Sequence, residues 1–287
     1  MIAVFKRELK SYFNGTIGFL FVALLLLFTG IFVTNFNLLG GYTAFEYALE
    51  STVIVFLLAV PILTMRTFAE DKRSKTDKLL FSLPIKISHI MLGKYLAMLA
   101  VLLIPTVVLA VYPLILTAFG TINLASAYAS LFAFFMLGAA LIAICMFLSF
   151  LADSQITATI ISFGAVLLIY MANGISTMIP ATAIISLICI LLLEGIVALS
   201  AFFLTKNTRI TAIVGAILAL PTLILYFVKS TLFDGLFPAM LSGIALFDRF
   251  MLFSYGLLDL PTILLYASIA VFFLTITGIA AEKKRWN

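Results

Sequence analysis

The sequence predicts an all-α polytopic integral membrane protein, and three observations carry the prediction. Hydrophobic residues make up 64% of the chain and charged residues 10%, whereas soluble domains are about a quarter charged. The apolar residues gather into runs of the length a helix needs to cross a bilayer, about 20 residues. The lysines and arginines, in turn, fall almost entirely in connections that share one side of the membrane. The 287 residues leave no room for a large soluble domain once the spans are counted, so 1–287 is predicted to form a single transmembrane domain.

The opening segment MIAVFKRELKSYFNG places Ile2, Phe5, Leu9 and Phe13 on one helical face and Lys6, Arg7 and Lys10 towards the other. Residues 1–15 are therefore predicted to lie as an interfacial helix in the headgroups. A secretory signal would share the basic start, but the run from Ile17 to Phe36 is long and lacks a small-x-small cleavage site, and it reads as a retained span. A second span follows from about Ser51 to Thr64, prolonged towards Phe68, and Pro61 is expected to bend it.

Between Met65 and Lys94 the chain turns polar, with seven of its seventeen basic residues (Arg66, Lys72, Arg73, Lys75, Lys78, Lys86, Lys94) beside Glu70, Asp71 and Asp77. In its second half Leu79, Leu80, Leu83, Ile87 and Ile90 recur at roughly helical spacing, an apolar stripe under a basic face. Such a helix either rests on an anionic leaflet or docks against a protein.

A third span is predicted from about Tyr95 to Phe119, with Pro105 and Pro113, and a fourth from about Tyr128 to Leu151. After a tight turn at Asp153 come a fifth from about Thr157 to Ser176, a sixth from Ala183 to Leu204, and a seventh reaching Val228 with Pro221 inside it. Residues 229–261 are too apolar for a free loop and too interrupted for a span, which suggests short helices re-entering the outer interface. The last span is Thr262 to Ala281.

Eight spans put both termini on one side, together with Lys6, Arg7, Lys10, the seven central cations, Lys206, Arg209, Lys283, Lys284 and Arg285. Only Lys229 and Arg249 fall on the other, so the first side is expected to be the cytoplasm and the protein a multi-pass component of the cell membrane. A six-span plan, in which two segments between Thr157 and Val228 merely dip into the membrane, keeps the same parity. The net charge of +5 is accounted for by this asymmetry and does not point to nucleic acid.

Catalytic constellations are missing: there is no G-x-x-x-x-G-K-[ST] phosphate loop, no H-E-x-x-H and no G-x-S-x-G. Cys145 and Cys189 sit in apolar runs without metal-type spacing, and His89, the single histidine, lies in the polar stretch as a solvated residue. No enzyme activity, bound cofactor or metal is expected of this chain. Glu194 is the one acid near the middle of a span, where an ionised carboxylate costs about 2.5–3.5 kcal/mol on the insertion scale. It is a candidate for a polar pathway, or else a packing residue hydrogen-bonded to Asn173 or Tyr170.

Four stretches, in order, resemble the membrane subunits of type-2 ABC exporters, and specifically the permeases related to the gliding-motility system. They are KRELKSYF at Lys6, PILTMRTFAEDKRSKTDKLLFSLPIKISHIMLGKYLA at Pro61, SQITATIISF at Ser154, and FDRFMLFSYGLLDLPTILLYASIAVFFLTITGIAAEKKRW at Phe247. Lys75 and Lys78 stand where that family usually has glycine and an acid, and the region from about Ile179 to Met240 adds two spans to a six-span plan.

The resemblance implies a cytoplasmic coupling region over 69–92. Within it Glu70, Asp71, Lys72, Arg73, Thr76, Leu79, Leu80, Leu83 and Pro84 would seat in a groove of an ABC ATPase subunit. It further implies a second permease, as homo- or heterodimer, membrane lipid around the pair, and ATP with magnesium held by the partner ATPase. A non-transporting scaffold driven by ATP is the rival reading, and an ion-coupled carrier working through Glu194 is a third.

Overall fold

The protein is described by a computed structural model covering residues 1–73, 86–205 and 208–286, with side chains described except at 73, 197, 199–205, 208–214 and 284–286. Every regular element among these residues is helical, as expected of a chain whose backbone must satisfy its own hydrogen bonds in lipid.

The chain divides into two compact units, 1–170 with 246–287, and 171–245. The first opens with α1 (Ile2–Asn14) and continues through α2 (Ile17–Val33), which runs on as a π-helical turn over Thr34–Leu39. Next come α3 (Glu46–Val53), α4 (Phe56–Thr64), α5 (Arg66–Arg73), α6 (Ile87–Leu109), α7 (Tyr112–Leu116), α8 (Leu124–Leu151) and α9 (Gln155–Met178). Helix α9 carries the chain across the boundary between the units. The second unit holds α10 (Ala183–Thr205), α11 (Thr208–Val228), a 3-10 turn over Ser230–Phe233 and α12 (Leu236–Ile244). Helices α13 (Leu246–Ser254) and α14 (Leu260–Trp286) return to the first unit.

Helix α8 is the axis of the first unit, and α3, α4, α5, α6, α13 and α14 all pack on it. Close packing requires small residues where helices meet. A Cβ at Gly138 would stand 2.7 Å from Leu102 and 3.1 Å from Phe56, so this glycine lets α4 and α6 approach the axis. The Phe56 and Phe134 rings lie 4.5 Å apart beside it. Several polar side chains that enter this core are hydrogen-bonded to backbone carbonyls: Ser130 donates to Phe253 at 3.0 Å, Tyr95 to Ala139 at 3.1 Å and Tyr266 to Leu246 at 2.8 Å.

Among the described residues five helices are long and apolar enough to span a membrane: Ile17–Leu39, Ile87–Leu116, Leu124–Leu151, Gln155–Met178 and Leu260–Lys283. Two bent pairs raise the number to seven, Glu46–Val53 with Phe56–Lys72 at 56° and Gly215–Val228 with Ser230–Ile244 at 117°. A count of eight is not reached among the described residues. The expected sixth span coincides with helix α10, Ala183–Thr205, whose described apolar part is Ala183–Ile196. The seventh turns back sharply at Lys229, where Gly215–Val228 meets Ser230–Ile244 at 117°.

The second span departs in detail. Its bend lies between Val53 and Phe56, where i→i−3 bonds from Val55, Leu57 and Leu58 tighten the backbone, and not at Pro61, which is buried within α4. Residues 229–261 form short helices as expected, but they divide between the units, with α12 in the second and α13 in the first. Asp259 starts the last span as its N-cap, accepting from the Thr262 amide at 3.1 Å and from the Thr262 hydroxyl.

Candidate functional site

The polar stretch begins as a continuation of the second span. Helix α5 follows α4 after a single turn residue, Met65, and its sequence RTFAEDKR alternates two demands. Thr67, Phe68 and Ala69 are buried, with the Phe68 ring edge-on to Phe150 of α8 at 5.4 Å. Arg66, Glu70, Asp71 and Lys72 carry the charges. The helix is therefore half embedded in the bundle, and its charged residues meet charges from three other elements.

Lys94 sits at the centre of that meeting. It lies two turns inside α6, is 1% exposed, and donates to Asp71 at 2.7 Å, to Glu8 of α1 at 3.1 Å and to the Thr67 carbonyl at 2.7 Å. Its three protons thus have three acceptors, and its ammonium also stands 5.2 Å from the Phe68 ring. A desolvated cation is tolerable only when paired and fully hydrogen-bonded. Two carboxylates from different helices meet that condition here, and in doing so they tie α1, α5 and α6 together.

Lys72 makes the second tie. Its ammonium reaches the carbonyls of Phe150 and Ala152, both at 2.7 Å, and lies 3.5 Å from Asp153. Those carbonyls belong to the end of α8 and the turn after it, so Lys72 closes the negative end of a helix dipole. Arg66 grips Glu70 through Nε at 2.5 Å and Nη2 at 2.9 Å, a fork within α5 itself. Tyr12 of α1 shares a hydrogen bond of 3.3 Å with Thr67, and burial pushes its phenol up from the ordinary tyrosine range. Gly93 allows α1 to lie on α6, because a Cβ there would stand 3.0 Å from Val4 and 3.1 Å from the Met1 carbonyl.

Of the residues expected to form the coupling site, Glu70, Asp71 and Lys72 are thus brought together on α5, and Arg73 closes that helix. Thr76, Leu79, Leu80, Leu83 and Pro84 lie outside the described residues. Of the apolar stripe only its last two members are described: Ile87 and Ile90 are buried, 3% and 1% exposed, in the first turns of α6. The third span starts at Ile87, ahead of the expected Tyr95, because the carboxylates of Glu8 and Asp71 allow Lys94 inside it. His89 is exposed, as expected.

Sequence reasoning missed Lys94 as the centre and Glu8 as its partner. A signal was present, since HIMLGKYLAML sets one cation in an apolar helix and Glu8 is the only acid before Glu46.

Glu194 lies in the second unit, partly exposed on α10, where the Thr222 hydroxyl of α11 donates to it at 3.2 Å. No group of His, Cys, Asp and Glu among the described residues is arranged to hold a metal ion.

No curated protein matches the chain, and no solved structure does. A family model does: residues 38–186, just over half of the chain, match the one described as ABC-2 family transporter protein. That segment takes in α5, Lys94 and the end of α8, and leaves out α1 and Glu194. The chain belongs to the ABC-2 transporter family, as a multi-pass membrane permease component of an ABC transporter.

Proposed function

We propose that this permease is one half of an ATP-driven exporter. It pairs with a second permease and with two cytoplasmic ABC ATPase chains, and α5 with the segment that follows it receives their movement. The observation that carries the reading is the pair of ties made by adjacent residues of α5, Asp71 to Lys94 and Lys72 to the end of α8. A displacement of α5 by a partner acts through them on α6 and on the axis of the bundle, while Glu8 passes it to α1. Mechanically the permease is then a bundle with two arrangements whose balance is set by the partner's nucleotide. ATP and magnesium would be held by the ATPase, and both termini, with the charged end, would face the cytoplasm of a cell membrane. The four stretches that resemble exporter permeases support the direction of transport.

The test is to isolate the tagged protein from its own cells in mild detergent and identify its companions by mass spectrometry. A stoichiometric chain with a G-x-x-x-x-G-K-[ST] loop is expected. A folded preparation without one overturns the reading. In the reconstituted complex, Asp71→Asn should weaken the dependence of transport on ATP hydrolysis. If nothing crosses the membrane while hydrolysis still rearranges the bundle, the scaffold reading replaces the exporter.

A further inference from the structure

We propose that the phosphodiester of an anionic phospholipid seats between α1 and the start of α5, held by Arg7, Lys10 and Arg66. The inference rests on the proposed orientation only for the leaflet it assigns, the cytoplasmic one.

Two cavities adjoin each other along α1, and their linings differ in charge. The first, about 200 Å³, is lined by Arg7, Glu8, Ser11, Tyr12, Arg66, Glu70, Asp71 and Lys94, so its cations face three carboxylates. The second, about 430 Å³ and open, is lined by Arg7, Lys10, Ser11, Asn14, Gly15 and Arg66, with three cations and no acid. Arg7 and Arg66 line both cavities and are paired with Glu8 and Glu70, so the net positive charge of the second, the cradle, comes from Lys10, with the free edges of the two guanidinium groups beside it.

The cradle's donors are also available. Arg66 is held by Glu70 through Nε and Nη2, which leaves Nη1 directed past Gly15, where a Cβ would stand only 2.8 Å from it. Any side chain at position 15 would crowd that nitrogen. Arg7 uses Nη2 on Glu8 at 2.5 Å, and Lys10 has no protein partner among the described residues. Two guanidinium groups, an ammonium, and the neutral donors of Ser11 and Asn14 match the oxygens of a phosphate, which guanidinium recognises through parallel hydrogen bonds.

The surroundings select a lipid over a free anion. The cradle lies where an amphipathic helix meets the first turn of a span, and just beyond it Phe19 and Leu20 are 61% and 46% exposed, an apolar face suited to acyl chains. A headgroup at the cradle and its chains along α2 would satisfy both surfaces at once. Because Arg66 also holds Glu70, the bound phosphate would share a guanidinium with α5 and so bear on the position of that helix.

The experiment measures phosphatidylglycerol and phosphatidylcholine retained by the purified chain in detergent, by quantitative mass spectrometry, in the presence of both lipids. The chain should prefer phosphatidylglycerol, and Lys10→Gln should lower that preference about fivefold, the effect of one cation near an anionic headgroup. Lys6→Gln removes the same charge from the same helix but lies outside the cradle, and it should leave the preference unchanged. Equal losses in the two variants would assign the effect to a diffuse field and overturn the site, as would no loss in either. Inorganic phosphate, added at constant ionic strength, should not displace the lipid; displacement would mark a free-anion site and overturn the lipid assignment. Since no ATPase is present, either result leaves the proposed partnership untouched.

Discussion

Lys94 and Glu194 are both ionisable residues set in long apolar helices. Lys94 is 1% exposed and spends its three protons on Asp71, Glu8 and the Thr67 carbonyl, which belong to two other helices. Glu194 is partly exposed, has the Thr222 hydroxyl at 3.2 Å, and is flanked by Leu192, Leu193 and Ile196, which are 64%, 46% and 61% exposed. A charge removed from water must be met by opposite charge and hydrogen bonds, or it neutralises. The lysine meets that requirement through tertiary structure, and its position constrains three elements. The glutamate meets it with one neutral donor, and its position constrains little. Charge inside a helix therefore says that something must compensate it, and the compensators show what the charge does.

The comparison is sharpened most by Lys94→Met. The change removes the buried cation that Glu8 and Asp71 share, though Glu8 keeps Arg7 at 2.5 Å, and loss of one member of a buried ionic group costs about 3–5 kcal/mol. The variant should melt well below the native protein in detergent and lose protection of α1 from proteolysis. Restoring some stability with Asp71→Asn in the same chain would show that uncompensated charge, and not lost packing, is the cause.

Lys72→Met is next. It removes the two 2.7 Å bonds that close the end of α8, and hydrogen bonds from charged groups are worth about 1.5–3 kcal/mol. Because α5 keeps its Lys94 tie, the fold should survive while the movement of α5 no longer reaches α8. In a reconstituted complex, hydrolysis should continue with transport reduced; transport falling only in proportion to hydrolysis would mean that Lys72 does not transmit.

Gly93→Ala probes the docking of α1. A methyl 3.0 Å from Val4 and 3.1 Å from the Met1 carbonyl must push the helix outward, and overpacking of this kind costs about 1–3 kcal/mol. A cysteine pair placed across α1 and α6 should cross-link more slowly in the variant.

Much of this architecture is written in the chain. The runs Ile17 to Phe36 and Thr262 to Ala281 fall inside α2 with its π-turn and α14, because an apolar run of that length has one solution in lipid. Asp153 lies in the turn after α8, as a charge between two apolar runs must. Lys94 was misread as the end of a polar loop because its two counter-ions lie 23 and 86 residues away, and no local pattern joins them. The bend before Pro61 was misplaced for a related reason. Proline states that a helix loses a donor there, but neighbouring helices decide where the backbone yields. On the long segment 183–228 the apolar pattern gave both helices, Ala183–Thr205 and Thr208–Val228, but it carries no sign of the 117° turn that follows at Lys229, because a turn leaves the composition unchanged.

Glu194→Gln is the smallest change and the one most able to break the comparison. Glutamine keeps a carbonyl that can accept from Thr222, so the hydrogen bond survives the loss of charge. Stability should shift by no more than about 0.5 kcal/mol, the range for sites without a buried network. ATP-dependent transport should stay within about twofold, since a barrier change of that size corresponds to such a factor. The outcome is informative in the other direction as well. If the variant folds normally but transport is abolished, a proton or cation at Glu194 belongs to the translocation step, and the ranking of the two residues reverses. Measuring transport in Glu194→Asp then separates the two ways this could arise. Aspartate keeps the charge but draws it back by one methylene from Thr222, so activity retained in aspartate and lost in glutamine would identify the charge itself, while loss in both would identify the geometry of the α10–α11 contact.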